Sequence, residues 1–148
     1  MFDQLLKLIT GDDAHPAETA AADQRVAVAA LLVEAARMDQ TFGTEERDTI
    51  ARLLTQRFEL SAEESAKLIE TADEKLAATA QYFRFTHELN TNMTAAEKIE
   101  VIEMLWSVAY ADGELDAHED QLIRQVAGLI HVTDRDRMLA RKRALGEG

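Results

Sequence analysis

Cysteine is absent from the sequence. This excludes thiolate zinc sites, iron–sulfur clusters, redox dithiols and a cysteine nucleophile, and no disulfide framework indicates secretion. The sequence also lacks an uninterrupted apolar run near the ~18 residues that a membrane-spanning helix needs. Its first segment, MFDQLLKLIT, is too short and too acidic for a signal peptide. We therefore expect a soluble, cytoplasmic protein.

Basic residues are scarce: 16 Lys and Arg face 28 Asp and Glu, for a net charge of −12. Because phosphate binding needs a basic patch, this charge excludes nucleic acid as a partner. Residues 135–148 contain five basic and two acidic residues, a net of +3, whereas residues 1–134 carry −15. We interpret this basic end as a helix whose cations complement its own C-terminal dipole. Docking onto the acidic body or onto an acidic partner is the alternative.

Proline and glycine are rare, with one and six residues, while Ala, Leu, Glu and Arg are frequent. This composition predicts an all-α protein, and 148 residues fit a single domain. We predict a helical bundle of about seven to eight helices. Residues 1–20 would form an amphipathic helix and a polar linker, and residues 21–148 the helical domain. The predicted helices lie near residues 2–9, 21–38, 45–58, 62–90, 95–111, 117–131 and 134–144, with a break in the fourth around 77–79.

Helix starts are marked by short polar side chains. Ser61, Thr94 and Asp116 are each followed three residues later by Glu, which is the capping-box pattern. Thr44 and Thr133 are predicted to be simpler N-caps. In the N-terminal helix the apolar residues lie on one face, but the only cation is a lysine. We therefore expect this helix to dock on its own bundle, with peripheral membrane contact at most.

The chain contains an internal repeat, in which residues 26–61 match residues 99–133 after a shift of 73 positions. The identical pairs are Val28 and Val101, Leu32 and Leu105, Ala36 and Ala109, Asp39 and Asp112, Glu46 and Glu119, and Ile50 and Ile123. Beyond Arg57 a one-residue gap aligns Phe58, Leu60 and Ser61 with Ile130, Val132 and Thr133. The repeat predicts two helical hairpins packed face to face. The predicted centre consists of Leu31, Leu32, Ala36, Leu105, Trp106 and Ala109.

Two acidic turns occupy equivalent places in the repeat. Asp39 is followed seven residues later by Glu46, and Asp112 is followed at the same spacing by Glu119. One interpretation is structural, because a glutamate in the first turn of a helix stabilises the N-terminus. The other is a hard cation held by carboxylate and backbone oxygens. Both interpretations stay open at this point.

A calcium-binding EF-hand is excluded at the second turn. Counted from Asp112, Ala117 replaces the glycine that the loop needs, and Ile123 replaces its bidentate glutamate. His118 could add a nitrogen ligand, although an exposed histidine at a helix start is usually solvated. A cation site here must therefore be of a different design.

Catalysis is not expected. The four histidines, His15, His87, His118 and His131, lie in unrelated segments without a recognisable motif around them. We interpret Trp106, Tyr82 and Phe83 as core residues rather than a ligand platform, because they lie at helical spacing among Leu and Ile.

Three segments make the sequence recognisable: LLVEAARMDQTFGTEERDTIARLL, YFRFTHELN and LWSVAYADGELDAHEDQLIRQVAGLIHV. They resemble the TerB-like family of bacterial proteins associated with tellurite resistance, which is also similar to the N-terminal domain of the co-chaperone DjlA. The resemblance covers nearly the whole chain. It implies an all-helical fold of two pseudo-repeated bundles. It also implies a metal site at Asp39, Glu46, Asp112 and Glu119. The first copy departs from the family pattern at Met38 and Gln40, where alanine and glycine are usual.

The resemblance also implies a role in tellurite or general stress responses without an established catalytic activity. Two hypotheses about function are therefore consistent with the sequence. The first is a non-catalytic interaction module that holds a divalent cation such as calcium at the paired acidic turns. The second is a metal-independent acidic scaffold that binds a protein partner. The identity of that partner and homo-oligomerisation stay open.

Overall fold

The structure is a computed structural model that describes residues 16–37, 43–78, 83–111, 113 and 117–146. These residues form seven α-helices and no strand, so the predicted all-α bundle is confirmed. The helices are α1 (Pro16–Arg37), α2 (Thr44–Phe58), α3 (Ala62–Ala78), α4 (Phe83–Asn92), α5 (Ala95–Ala109), α6 (Ala117–Leu129) and α7 (Asp134–Ala144).

Helix α1 begins earlier than the sequence pattern predicted. Its first residue is Pro16, whereas the sequence predicted a polar linker up to about residue 19. Proline is compatible with the first turn of a helix, because the N–H that it lacks would have no partner within the helix there. The Ala-rich stretch that follows continues the helix. The predicted helix at residues 2–9 lies outside the described residues.

The long apolar stretch 62–90 is divided as predicted, because α3 ends at Ala78 and α4 begins at Phe83. Two predicted capping boxes are also present. The Ser61 hydroxyl accepts from the backbone N–H of Glu64 and the Glu64 carboxylate accepts from the N–H of Ser61, at 3.1 and 2.9 Å. Thr94 and Glu97 make the same pair of hydrogen bonds. The Thr44 prediction is wrong by one residue, since Gly43 is the N-cap.

Helix α1 forms the centre of the bundle and contacts α2, α3, α4, α5 and α6. Helix α5 is the second central element and contacts α1, α2, α6 and α7. The side chains from Ala27 to Val33 are all buried, so α1 is apolar around its circumference over two turns. The predicted central residues of both copies are confirmed as core: Leu31, Leu32, Ala36, Leu105, Trp106 and Ala109.

Equivalent positions of the predicted repeat share backbone features. Glu59 and His131, which the one-residue gap aligns, both adopt the left-handed conformation, with φ of 55° and 64°. This conformation is uncommon for residues other than glycine. The next helix begins three residues later in each copy, and the first helix of each copy packs against the third, α1 on α3 and α5 on α7. The predicted repeat is consistent with this correspondence and stays a prediction.

Within the part of the chain that the structure describes, no helix combines the length and the apolar character needed to cross a membrane.

Candidate functional site

The first acidic turn places a glutamate on a buried helix face. Glu46 lies in the first turn of α2, and only 6% of it is exposed, although its neighbour Glu45 is exposed. The helical register explains this difference. Ile50 and Leu54 follow Glu46 at intervals of four residues and are fully buried, so one helix face carries all three inward. A sequence signal for this burial therefore exists in the spacing 46, 50, 54.

The Glu46 carboxylate turns back toward the start of its helix. Its Oε2 atom lies 3.0 Å from the position that a Cβ atom on Gly43 would occupy. Gly43 is the N-cap and makes no side-chain capping bond. Among the described residues, none donates a hydrogen bond to Glu46 or forms an ion pair with it. Within the described residues, the positive end of the α2 dipole is therefore the group that compensates the charge of Glu46.

The second acidic turn repeats the arrangement. Glu119 lies in the first turn of α6 and is 2% exposed, the most buried charged side chain of the described residues. It shares a face with Leu122, Ile123 and Val126, which are buried at three, four and seven residues further along. Unlike Glu46, Glu119 has an interaction partner. Both glutamates of the predicted site are therefore buried first-turn residues.

The two aspartates of the predicted site, Asp39 and Asp112, lie outside the described residues, as does the predicted cap Asp116. Beside Asp112, Gly113 has a φ of 91°, a conformation that glycine adopts readily after the end of a helix. Within the described ranges, no group of three or more His, Asp or Glu side chains could hold a metal ion. The four-carboxylate site therefore stays a prediction, and the structure locates its two glutamates.

A second charged cluster joins α2 to α5. Arg57 forms ion pairs with Glu97 at 3.1 Å and with Glu100 at 3.0 Å, and its guanidinium lies 5.4 Å from the ring centre of Phe58. The N–H of Thr94 donates to Glu97 and, together with Arg57, holds the pKa of Glu97 below its usual range. This cluster borders a cleft of about 290 Å³. Because its charges are paired with one another, we interpret it as a structural clamp.

The basic C-terminal helix docks on the body of the protein. The Arg143 guanidinium lies 3.1 Å from the carboxylate of Glu103, and Arg141 donates to the Tyr110 hydroxyl at 2.9 Å. The indole N–H of Trp106 donates to the carbonyl of Arg137 at 3.0 Å. Sequence reasoning included docking onto the acidic body as an alternative, but it could not identify these pairs, which are 31 to 40 residues apart in the chain.

The described histidines lie on separate elements. His87 is on α4, His118 is at the start of α6, and His131 is in the turn before α7, and all are exposed. His15 lies outside the described residues. The geometry of these elements does not identify a catalytic pair.

Comparison with known proteins gives one result. The family model described as tellurite resistance protein TerB matches residues 25–142. The match runs from the first half of α1 to the last turn of α7 and includes both acidic turns. No curated protein and no solved structure is significantly similar to the chain.

Proposed function

The chain belongs to the TerB family of tellurite resistance proteins, and we propose that it is a non-catalytic interaction module that holds a divalent cation such as calcium. Its ligands would be Asp39 and Glu46 at the first acidic turn, with Asp112 and Glu119 at the second. The proposed setting is the bacterial cytoplasm during a tellurite or general stress response. A protein partner would bind preferentially to the cation-bound form.

One observation carries this proposal: Glu46 is a buried residue, 6% exposed, and its carboxylate has no hydrogen-bond or ion-pair partner among the described residues. Moving an ionised carboxylate out of water is costly unless hydrogen bonds or an opposite charge compensate it. The helix dipole contributes about 0.3–1 kcal/mol of this compensation. A hard cation would supply the missing charge, and carboxylate oxygens are the ligands that calcium and magnesium prefer.

The repeated burial of Glu119 supports the same proposal. A surface glutamate can stabilise a helix N-terminus, and Glu45 and Glu63 are exposed first-turn glutamates of this kind. Stabilisation of the helix dipole alone therefore does not require burial. Both copies have a glutamate at the equivalent position, Glu46 or Glu119, and in both copies that residue is buried.

The direct test is a thermal unfolding titration of the full chain with calcium, magnesium, manganese and zinc. A cation that binds only the folded state stabilises it by about 2.7 kcal/mol at a hundredfold excess over its dissociation constant. We expect Glu46→Gln and Glu119→Gln to reduce this stabilisation. The matched controls are Glu45→Gln and Asp120→Asn, which remove a neighbouring carboxylate from the same helical turn and should leave the response unchanged.

Two outcomes would contradict a cation site. One is the absence of any cation-dependent change in the melting temperature of the unsubstituted protein. The other is an equal response in Glu46→Gln and its Glu45→Gln control. Backbone amide NMR spectra recorded during the titration would separate the two turns, because residues 43–46 and 117–119 report on different helices.

A second candidate role is a metal-independent scaffold whose acidic surface binds a protein partner. The net charge of −12 favours it. Binding to a partner that is insensitive to chelator but is lost at high salt would distinguish this scaffold from the cation-dependent module.

A further inference from the structure

The outer face of α7 carries an exposed apolar pair. Met138 and Leu139 are the exposed large hydrophobic residues of the described chain, at 41% and 39% exposure. They are adjacent, and Arg135 and Lys142 lie one turn before and after them, both exposed. These four residues have the spacing i, i+3, i+4 and i+7, so they form one stripe. We call this stripe the α7 outer face.

The α7 outer face points away from the bundle. Ala140 is fully buried, and Arg137 and Arg141 contact α5 through Trp106 and Tyr110. In a helix of 3.6 residues per turn these three positions lie opposite the outer face. Intramolecular packing therefore accounts for the inner face of α7, whereas on the outer face Met138 and Leu139 stay exposed and the Met138 sulfur contacts the Arg137 guanidinium of its own helix.

Helix stabilisation explains only one of the two cations of this face. Lys142 lies in the last turn, where a cation complements the helix dipole, but Arg135 lies in the first turn, where a cation opposes it. Within the described residues neither Arg135 nor Lys142 has an ion-pair partner, whereas Arg137 and Arg143 do. Two unpaired cations therefore bracket two exposed apolar side chains.

From this pattern we propose that the α7 outer face is a docking site for an acidic amphipathic helix of a protein partner. An apolar seam flanked by charges is the arrangement by which helices pair with a chosen partner. Leucine or isoleucine side chains of the partner would pack on Met138 and Leu139. Glutamates at either end of that helix would pair with Arg135 and Lys142. Methionine suits such a surface because its flexible side chain adapts to different neighbours.

Two other occupants fit the pattern less well. In an antiparallel pair of α7 helices from two copies, Arg135 of each would face Lys142 of the other, which places like charges together. An anionic membrane would attract the cations, but two exposed apolar side chains offer little area to insert, and binding to a membrane surface scales with that area. The acidic helix satisfies both the cations and the apolar pair. This site extends the interaction role proposed above and does not depend on the cation.

The test uses the full, isotope-labelled chain and a short capped helical peptide with leucines at heptad positions a and d and glutamates at e and g. We expect its addition to shift the backbone amides of residues 134–144. A peptide with lysines in place of the glutamates should leave these amides unchanged. Met138→Ser/Leu139→Ser and Arg135→Glu/Lys142→Glu should each weaken binding at least about tenfold, which corresponds to the loss of about 1.4 kcal/mol.

The matched control is Arg52→Glu/Lys67→Glu, which makes the same change of net charge at exposed cations of α2 and α3. It should bind the acidic peptide with an affinity close to that of the unsubstituted chain once salt has screened the long-range field. Because all the substituted side chains are exposed, circular dichroism should show folded protein for every variant.

Three results would overturn the proposal. The first is a lack of α7 shifts with the acidic peptide, or shifts that the charge-reversed variant retains. The second is co-sedimentation with anionic phospholipid vesicles that depends on the same four residues, without a response to the peptide; this would assign the face to a membrane. The third is a dimer in solution that Met138→Ser/Leu139→Ser dissociates, which would assign the face to a second copy of the chain.

Discussion

A carboxylate oxygen of Glu46 lies 3.0 Å from the place that the Cβ atom of residue 43 would occupy if Gly43 carried a side chain. Gly43 has φ of −82° and ψ of 177°, a conformation open to every residue. The chain therefore does not need glycine here for its backbone. Glycine at position 43 instead leaves room for the Glu46 carboxylate, which folds back over the N-terminus of α2.

This relationship predicts that Gly43→Ala separates stability from cation binding. Alanine reduces the entropy of the unfolded chain, so the free energy of unfolding should change by less than about 1 kcal/mol. Its Cβ should nevertheless displace the Glu46 carboxylate and weaken the cation-induced rise in melting temperature. Gly128→Ala is the control, because a Cβ there meets nothing within 4 Å. An undiminished cation response in Gly43→Ala would contradict the arrangement.

Helix capping predicts a stability difference among three threonines. The Thr94 hydroxyl accepts from the N–H of Glu97, and the Thr133 hydroxyl accepts from the N–H of Asp136 at 3.1 Å. Thr94→Ala and Thr133→Ala should each cost about 1 kcal/mol in urea-induced unfolding. Thr44→Ala should cost less than about 0.5 kcal/mol, because Thr44 is exposed and follows the cap. Equal losses at all three positions would contradict these assignments.

The glutamates of the capping boxes predict a loss of stability in acid. The backbone and hydroxyl of Ser61 lower the pKa of Glu64, and those of Thr94 lower the pKa of Glu97, relative to 4.5. A carboxyl whose pKa is lower in the folded state stabilises that state fully above its unfolded pKa. This stabilisation is lost as the pH falls through 4.5 toward the lower folded pKa.

Urea unfolding over this pH range should therefore show a smaller acid-induced decrease for Glu97→Gln than for the unsubstituted protein. Glu63→Gln is the control, since it removes an exposed carboxylate from the first turn of α3 without altering either capping box. Parallel pH profiles for Glu97→Gln and the unsubstituted chain would show that the Thr94 box does not act in this way.

Trp106 is the sole tryptophan, and it is 1% exposed. Its fluorescence should be blue-shifted and resistant to quenching by acrylamide until the protein unfolds. Trp106→Ala should cost about 3–5 kcal/mol, because it leaves a cavity between α5 and α7. It also leaves the carbonyl of Arg137 without the indole donor. An emission maximum like that of free tryptophan in the folded protein would contradict the core assignment.

Local sequence signals predicted the elements that depend on neighbouring residues. The capping boxes at Ser61 and Thr94 and the division of residues 62–90 are present in the structure. The start of α1 at Pro16 was missed, because a proline in a polar segment was interpreted as part of a linker. The first-turn glutamates lie at helix starts as predicted, but their pattern indicated only caps or ligands, and their burial was not predicted.

The sequence by itself determined the all-helical class, the family, and which face of each amphipathic helix is apolar, because these properties depend on composition, motifs and spacing within a few turns. Tertiary structure alone decided which helices meet. It made α1 and α5 the centre, joined Arg57 to Glu97 and Arg143 to Glu103, and left Met138 and Leu139 exposed. Such contacts link residues distant in the chain, and they depend on how several apolar faces are buried at once.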